Sequence, residues 1–333
     1  MSKAHKLTDI NCDDIALTGL RLALKKRFDE MLGLSHAANN GKDSDAVHDM
    51  RVASRRLRSA LEDSMPYLKD KAVNSTIKQL RSIADALGEV RDQDVAILAL
   101  EKLASRTKPE ILSTVQDLIR SRKKIRKEAR RSLKKRLKDE LEDVSSDFEN
   151  ALKPSTKSGR NRKHSGPNRA NPSYTMMATL IVQKRLRELE KLSRGLSKPG
   201  TAEALHDMRI AAKRLRYAIE LFSVCWPSES LTYAKKIARL QSALGQVHDC
   251  DVWIESLDEQ LQQAIQSGKA DETKAYTWLV NHFIKLRNRH LGLAIRLWRL
   301  WETDGLSNQL KNLIAARHAA TSQPTRLNYD NNT

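Results

Sequence analysis

The sequence predicts an all-α protein, and two observations support this prediction. Apolar residues recur three and four positions apart, and the first such run reads Leu17, Leu20, Leu24, Phe28 and Met31. That spacing is the period of a helix that turns one face toward a core. Glycine and proline number only 12 and 8 among 333 residues, and no stretch shows the alternating pattern of a half-buried strand.

An internal repeat divides the chain into two halves. The stretch VHDMRVASRRLRSALE at residues 47–62 returns as LHDMRIAAKRLRYAIE at residues 205–220. Downstream, ALGEVRDQDV at residues 86–95 returns as ALGQVHDCDV at residues 243–252. Two matches in the same order and at nearly the same offset indicate that a whole unit was duplicated. Antiparallel helices with short connecting loops then predict one helical bundle in each half.

Hydrophobic periodicity predicts five helices in the first half, at about 13–38, 44–65, 68–88, 92–105 and 108–151. The second half is predicted to contain helices at about 173–196, 202–224, 228–246, 249–267 and 271–300. Asp92 and Asp249 are predicted N-caps, because a short side-chain oxygen can accept a hydrogen bond from a free backbone amide. Pro109 and Pro172 suit the first turn of a helix, where the missing N–H costs nothing.

Composition marks one segment as a linker. Residues 153–172 read KPSTKSGRNRKHSGPNRANP, which is basic and polar and contains no apolar residue larger than alanine or proline. We therefore expect a first helical half at residues 1–152, a flexible linker at 153–172 and a second half at 173–302. Residues 303–333 form a tail that is expected to be partly disordered.

The charge balance points to an anionic partner. Lys and Arg number 60 against 41 Asp and Glu, which gives a formal net charge of +19. Such a field attracts nucleic acid, anionic membranes or polyphosphate. No apolar run approaches the roughly 18 residues of a membrane span, and the first residues contain no apolar signal-peptide core. Three cysteines without a CxxC pair predict neither a disulfide framework nor a zinc site, so a cytoplasmic location is expected.

The strongest candidate site is a pair of basic stripes. At 100° per residue, one helix carries four basic side chains within an arc of about 80°: His48, Arg51, Arg55 and Arg58. The second copy repeats the stripe with His206, Arg209, Lys213 and Arg216. Like charges at this spacing destabilise a helix, so the pattern is typical of a surface that an anion neutralises. Arginine also offers forked donors that match phosphate oxygens.

Other helices supply further candidates. Four basic residues lie away from the apolar faces of their helices: Lys78, Arg81, Lys235 and Arg239. Between Arg120 and Lys138, twelve of nineteen residues are Lys or Arg, and we expect Arg126 and Arg130 to face the ligand. The counterpart in the second half is more apolar but keeps Arg287. The first half is therefore expected to hold the stronger field.

The motifs beginning at His48 and His206, HxxRxxxRRxR and HxxRxxxKRxR, resemble the CHAD family, the conserved-histidine α-helical domain. GEVRDQDV and GQVHDCDV resemble its second motif, so the resemblance covers about residues 10–300. It implies two pseudo-two-fold-related four-helix bundles with long helices around a basic groove. It also implies binding of inorganic polyphosphate, which phosphate or sulfate ions can mimic, and association with polyphosphate granules.

Carried over by motif position, the two basic stripes would line that groove. Arg56 and Arg214 also match the motif, but they lie about 80° round the helix from the stripes. One departure from the repeat is visible, because His248 stands where the first copy has Arg91. The repeat therefore does not require a permanently charged side chain at this position.

Two other functions stay open at this point. The charge also suits RNA or DNA binding, although aromatic residues make up only 5% of the chain and no nucleic-acid motif is recognisable. The dipeptides at 48–49, 206–207 and 248–249 allow a His-Asp metal-dependent phosphohydrolase, but basic neighbours would repel the cation. We predict a binding protein that is not an enzyme and uses no cofactor or metal.

Overall fold

The structure is a computed structural model, and it describes residues 7, 9–40, 44–68, 71–153, 172–197, 202–226 and 228–321. Within these ranges every regular element is a helix, which confirms the predicted all-α class. An isolated antiparallel bridge between Ile15 and Ser173 is the one strand-like pairing in the described part. Of the predicted linker, residues 154–171 lie outside the described residues, so the proposed division into halves stays a prediction.

The first half contains five helices: α1 (Ala16–Gly33), α2 (Ser35–Asn40), α3 (Ser44–Ser64), α4 (Lys71–Ala104) and α5 (Pro109–Leu152). Two boundaries differ from the prediction. The helix expected at 13–38 ends at Gly33, and a short second helix follows after Leu34. The helices expected at 68–88 and 92–105 are one continuous helix, so Asp92 lies in its interior and is not an N-cap.

The described part of the second half repeats this order and adds one helix at its end: α6 (Tyr174–Leu192), α7 (Arg194–Ser197), α8 (Ala202–Leu221), α9 (Ser230–Gln266), α10 (Ala270–Thr303) and α11 (Leu306–Thr321). A single 3-10 turn at Ser223–Cys225 follows α8. As in the first half, two predicted helices merge into α9, and the prediction that Asp249 is an N-cap is wrong. Part of the predicted tail is helical, as α11.

Two long antiparallel hairpins, α4–α5 and α9–α10, dominate the architecture. Pro109 begins α5 as predicted, with Lys108 as the N-cap. Pro172 instead lies before the N-cap of α6, which is Ser173, whose hydroxyl accepts a hydrogen bond from the amide of Met176 at 3.2 Å. In the α9–α10 turn Gly268 has a φ of 65°, a conformation that glycine adopts without a steric cost.

The two halves share their hydrophobic cores. The main core is continuous from α1 and α3 to α6 and α8, where Leu20, Leu57, Leu186 and Leu215 are buried. A smaller core lies near the ends of the hairpins and packs residues of α4 and α5 against α9 and α10, with Val115 and Leu279 completely buried. Burying apolar surface at both places fixes the position of α3 relative to α8.

Candidate anion-binding site

The two predicted stripes lie on α3 and α8, and these helices pack against each other. Arg55 of α3 is close enough to Arg209 of α8 to lower the pKa of Arg209, after the larger effect of burial. Arg55 and Arg58 act in the same way on Lys213. The stripes of the two halves therefore converge, which the sequence could suggest only through the family resemblance.

The centre of this surface is formed by Arg55, Arg209 and Lys213, the central cation cluster. All three side chains are half-buried. No carboxylate of the described residues lies within 4.0 Å of any of them. Burial and the neighbouring charges, first those of Arg55 and Arg58, lower the pKa of Lys213 to about 7. Three crowded cations without a carboxylate at ion-pair distance are costly, and an anion that binds between them removes that cost.

A glycine in each long helix makes room for the stripes. A Cβ built on Gly88 of α4 would lie 3.4 Å from Nη2 of Arg51, and one on Gly245 of α9 would lie 3.6 Å from Nε of Arg209. Both arginines thus lie directly on a helix backbone that carries no side chain at that point. Glycine weakens a helix interior by about 1 kcal/mol relative to alanine, and it stands at this position in both copies of the repeat.

Two aspartates stand at the edge of the cluster. Arg51 pairs with the exposed Asp92 at 3.1 Å, a solvent-accessible ion pair of little net stability. Asp249, its counterpart in the repeat, has a raised pKa because surrounding protein displaces water, although Arg209 acts in the opposite direction. An anion can replace Asp92 as the partner of Arg51, and it can supply the close partner that Arg209 lacks among the described residues.

The motif histidines lie half-buried beside these groups. Burial and Arg91 lower the pKa of His48, and burial and His248 lower that of His206. The rings of His206 and His248 lie 4.8 Å apart, so the departure from the repeat places two histidines together in the second half. At neutral pH both motif histidines are mainly neutral donors or acceptors in this environment.

The remaining arginines of the motifs are held by two glutamates that the sequence analysis did not identify. Arg216 pairs with Glu220 at 3.2 Å, and Arg56 of the other half reaches the same carboxylate at 3.3 Å. The exchange is reciprocal, because Arg214 approaches Glu62 at 3.9 Å and Arg58 lies 3.7 Å from it. The repeat could have indicated these glutamates, because Glu62 and Glu220 occupy the same position in its two copies.

Two arginines that were predicted among the groove candidates are buried in this network. Arg56 and Arg216 have side chains that are only 7% and 6% exposed, so they lie beneath the surface rather than on it. Arg56 pairs with the buried Glu30 as well as with Glu220. The Arg56–Glu220 pair joins the halves, and Arg216 shares its carboxylate from the same helix as Glu220. Arg58 and Arg214 stay partly accessible.

The outer candidates are distributed more widely. Lys78, Arg81, Lys235 and Arg239 have exposed side chains on α4 and α9, and of these Arg81 is near enough to Arg58 to affect its pKa. Arg126 and Arg287 form matching ion pairs with Asp94 and Asp251 inside their hairpins. Arg130 lines a separate cavity between α2 and α5.

No three His, Cys, Asp or Glu side chains of the described residues are grouped so that they could hold a metal ion. Among the helices that the structure describes, none has the length and apolar character that a membrane span requires.

The fold and the site define a class: duplicated helical proteins in which two cation-bearing helices face each other. A family model described as the CHAD domain matches residues 22–258, and the chain belongs to this family. The family resemblance found in the sequence is thereby confirmed.

Comparison with individual proteins gives the same fold. The chain is 30% identical over 235 residues to the uncharacterized protein Rv2226 of Mycobacterium tuberculosis. The matched region covers 68% of this chain and 42% of that protein. It therefore spans less than half the length of this relative. The crystal structure of the CHAD domain from the plant Ricinus communis has a TM-score of 0.64 at 23% identity and covers 87% of this chain and 96% of its own. PptA from Streptomyces chartreusis has a TM-score of 0.63 at 12% identity, with coverages of 86% and 100%.

Replacing Glu220 with glutamine tests the buried tie between the halves. We expect E220Q to lower the free energy of unfolding by about 2 kcal/mol, because the buried Arg56 and Arg216 lose part of their compensation. The matched control is E62Q, whose partners Arg58 and Arg214 are 19% and 41% exposed, so the expected loss is about 1 kcal/mol or less. Urea denaturation measures both values, and equal losses would contradict the role given to Glu220.

Proposed function

We propose that the protein binds inorganic polyphosphate between α3 and α8, the function that membership of the CHAD family implies. The observation that carries the proposal is the central cation cluster, which is half-buried and has no acidic partner among the described residues. A bound polyanion supplies the missing counter-charges. Chains held in this way would bring the protein to polyphosphate-rich granules in the cytoplasm.

A linear polyanion fits the arrangement better than a single small ion. The cluster is contributed by both halves, and Arg51 and Arg58 extend it along α3 on either side of Arg55. Successive phosphates of one chain can therefore contact several cations at once, which makes binding multivalent. Arg51 and Arg58 are engaged only by partly exposed carboxylates, at 3.1 Å and 3.7 Å, and a phosphate oxygen can displace these.

Nucleic acid is the alternative with the same backbone charge. Single-stranded nucleic acids are usually held by aromatic side chains on which bases stack. Every aromatic side chain that the structure describes is buried or half-buried, and Tyr217, the one nearest the cluster, is 5% exposed. The described surface thus offers charge without a stacking platform, which favours polyphosphate.

The central test neutralises the cluster in the variant R55Q/R209Q/K213Q. We expect its affinity for long-chain polyphosphate to fall by about a hundredfold or more, because three charged contacts are lost. The slope of log Kd against log salt should become shallower by about two to three. The control K184Q/R187Q/K191Q removes the same charge from the exposed face of α6, and its affinity should change less than about threefold.

Thermal unfolding without ligand separates loss of binding from loss of folding. Since the three cations repel one another, R55Q/R209Q/K213Q should unfold at the same temperature as the parent protein or higher. Unchanged polyphosphate affinity in this stable variant would place the site elsewhere. Displacement of polyphosphate by RNA at equal phosphate concentration would favour the nucleic-acid alternative.

A second test uses the depressed pKa of Lys213. Its ammonium group is charged below about pH 7 and neutral above. A bound polyanion favours the charged form and therefore raises this pKa. The affinity for polyphosphate should accordingly fall as the pH rises from about 7 to about 9. His48 and His206 have pKa values below the usual 6.5 and do not titrate in this window. K213R stays charged, and its calorimetric affinity should be nearly independent of pH. A pH dependence equal to that of the parent protein would contradict the assignment.

A further inference from the structure

A cavity of about 500 Å³ lies between the end of α2 and the middle of α5, away from the central cation cluster. The electrostatic neighbours that affect Arg130 in its wall are Arg126 and Asp94, and neither belongs to that cluster. The volume is in the range of small-molecule sites, roughly 300–1,000 Å³. Six basic side chains of α5 line it: Lys123, Arg126, Lys127, Arg130, Arg131 and Lys134.

Most of this charge has no counter-charge. Lys123 pairs with Glu101 at 2.9 Å, and Arg126 pairs with Asp94. The other four cations form no ion pair with any described carboxylate, and no acidic side chain is among the residues that line the cavity. Two nitrogens of Arg130, Nε and Nη2, are buried without a hydrogen-bond acceptor in the described part of the chain. Buried donors without acceptors are costly, and a phosphate oxygen is the acceptor they lack.

The duplication provides an internal comparison. The Arg126–Asp94 pair of the α4–α5 hairpin corresponds to the Arg287–Asp251 pair of the α9–α10 hairpin. Aligned on these pairs, the basic residues at 123, 127, 130, 131 and 134 correspond in the second hairpin to Ile284, Asn288, Leu291, Gly292 and Ile295. The second hairpin therefore has no basic lining at these positions, where Leu291 and Ile295 pack against the core and α11 lies against α10. A long hairpin of this kind forms without these cations, so their presence in the first half needs another explanation.

We propose that the α2–α5 pocket binds a compact oligophosphate group with three or more negative charges. Arginine forks in the wall match phosphate oxygens, and the amides of Asn39 and Asn40 at the end of α2 add uncharged donors. The group comes either from a free short oligophosphate or from a segment of a long polyphosphate chain. The inference does not depend on ligand binding at the central cation cluster.

Tripolyphosphate is the probe, and the full-length variant R55Q/R209Q/K213Q is the background, which removes the contribution of the central cluster. Calorimetry at about 0.15 M salt should still detect binding there, since six cations remain in the pocket. Adding K127Q/R130Q/K134Q should weaken binding by at least about tenfold. Adding K124Q/K135Q/K138Q, three exposed residues of the same helix outside the pocket, should change it less than about threefold.

The proposal that the pocket binds oligophosphate would be contradicted if the two triple substitutions had equal effects. It would also be contradicted if the background variant did not bind tripolyphosphate. Failure of the central cluster is distinguishable, because then R55Q/R209Q/K213Q would keep the parent affinity for long polyphosphate. Long chains also identify the source of the ligand. If K127Q/R130Q/K134Q in the otherwise unchanged protein weakens long-chain binding, the pocket holds part of the chain, and if only tripolyphosphate binding falls, it takes a free oligophosphate.

Discussion

Electrostatic repulsion between α3 and α8 is the constraint on which the site depends. These helices bring Arg55, Arg209 and Lys213 together without a carboxylate of the described residues within 4.0 Å. Burial first, and then the neighbouring arginines, lower the pKa of Lys213 to about 7. The same helices also attract each other, because Arg56 of one half and Glu220 of the other form an ion pair. Attraction beneath the surface thus holds repelling charges at the surface, and binding of the proposed polyanion would relieve the repulsion.

The long helices complete this arrangement. Gly88 and Gly245 let Arg51 and Arg209 lie against the backbones of α4 and α9, so the arginines are positioned by packing as well as by charge. The small core near the hairpin ends joins the halves a second time, away from α3 and α8. The main core and this smaller core together keep α3 and α8 from moving apart under their mutual repulsion. A single core would resist that movement less. The proposed site is therefore formed without a ligand, and little ordering would oppose binding.

The all-α class and the position of each stripe on its own helix could be predicted, because both follow from a period of 3.6 residues. The partners across the helices could not. Arg56 of α3 pairs with Glu220 of α8, and this contact depends on how the two helices pack. The same packing buries Arg216, which belongs to the predicted stripe and shares Glu220 from its own helix. The break predicted near Asp92 was wrong because a glycine and two aspartates suggest a boundary locally, whereas Gly88 serves a tertiary contact. The α2–α5 pocket was missed because α2 was predicted as the end of one long helix.

The most direct measurement is a crystal structure of the protein with a polyphosphate chain bound. Consecutive phosphates should lie between α3 and α8, with oxygens at hydrogen-bonding distance, about 2.7–2.9 Å, from the nitrogens of Arg55, Arg209 and Lys213. The backbones of these helices should superimpose on those of the free protein. Phosphates confined to the outer faces of the molecule, with the central cations still facing one another unoccupied, would contradict the account.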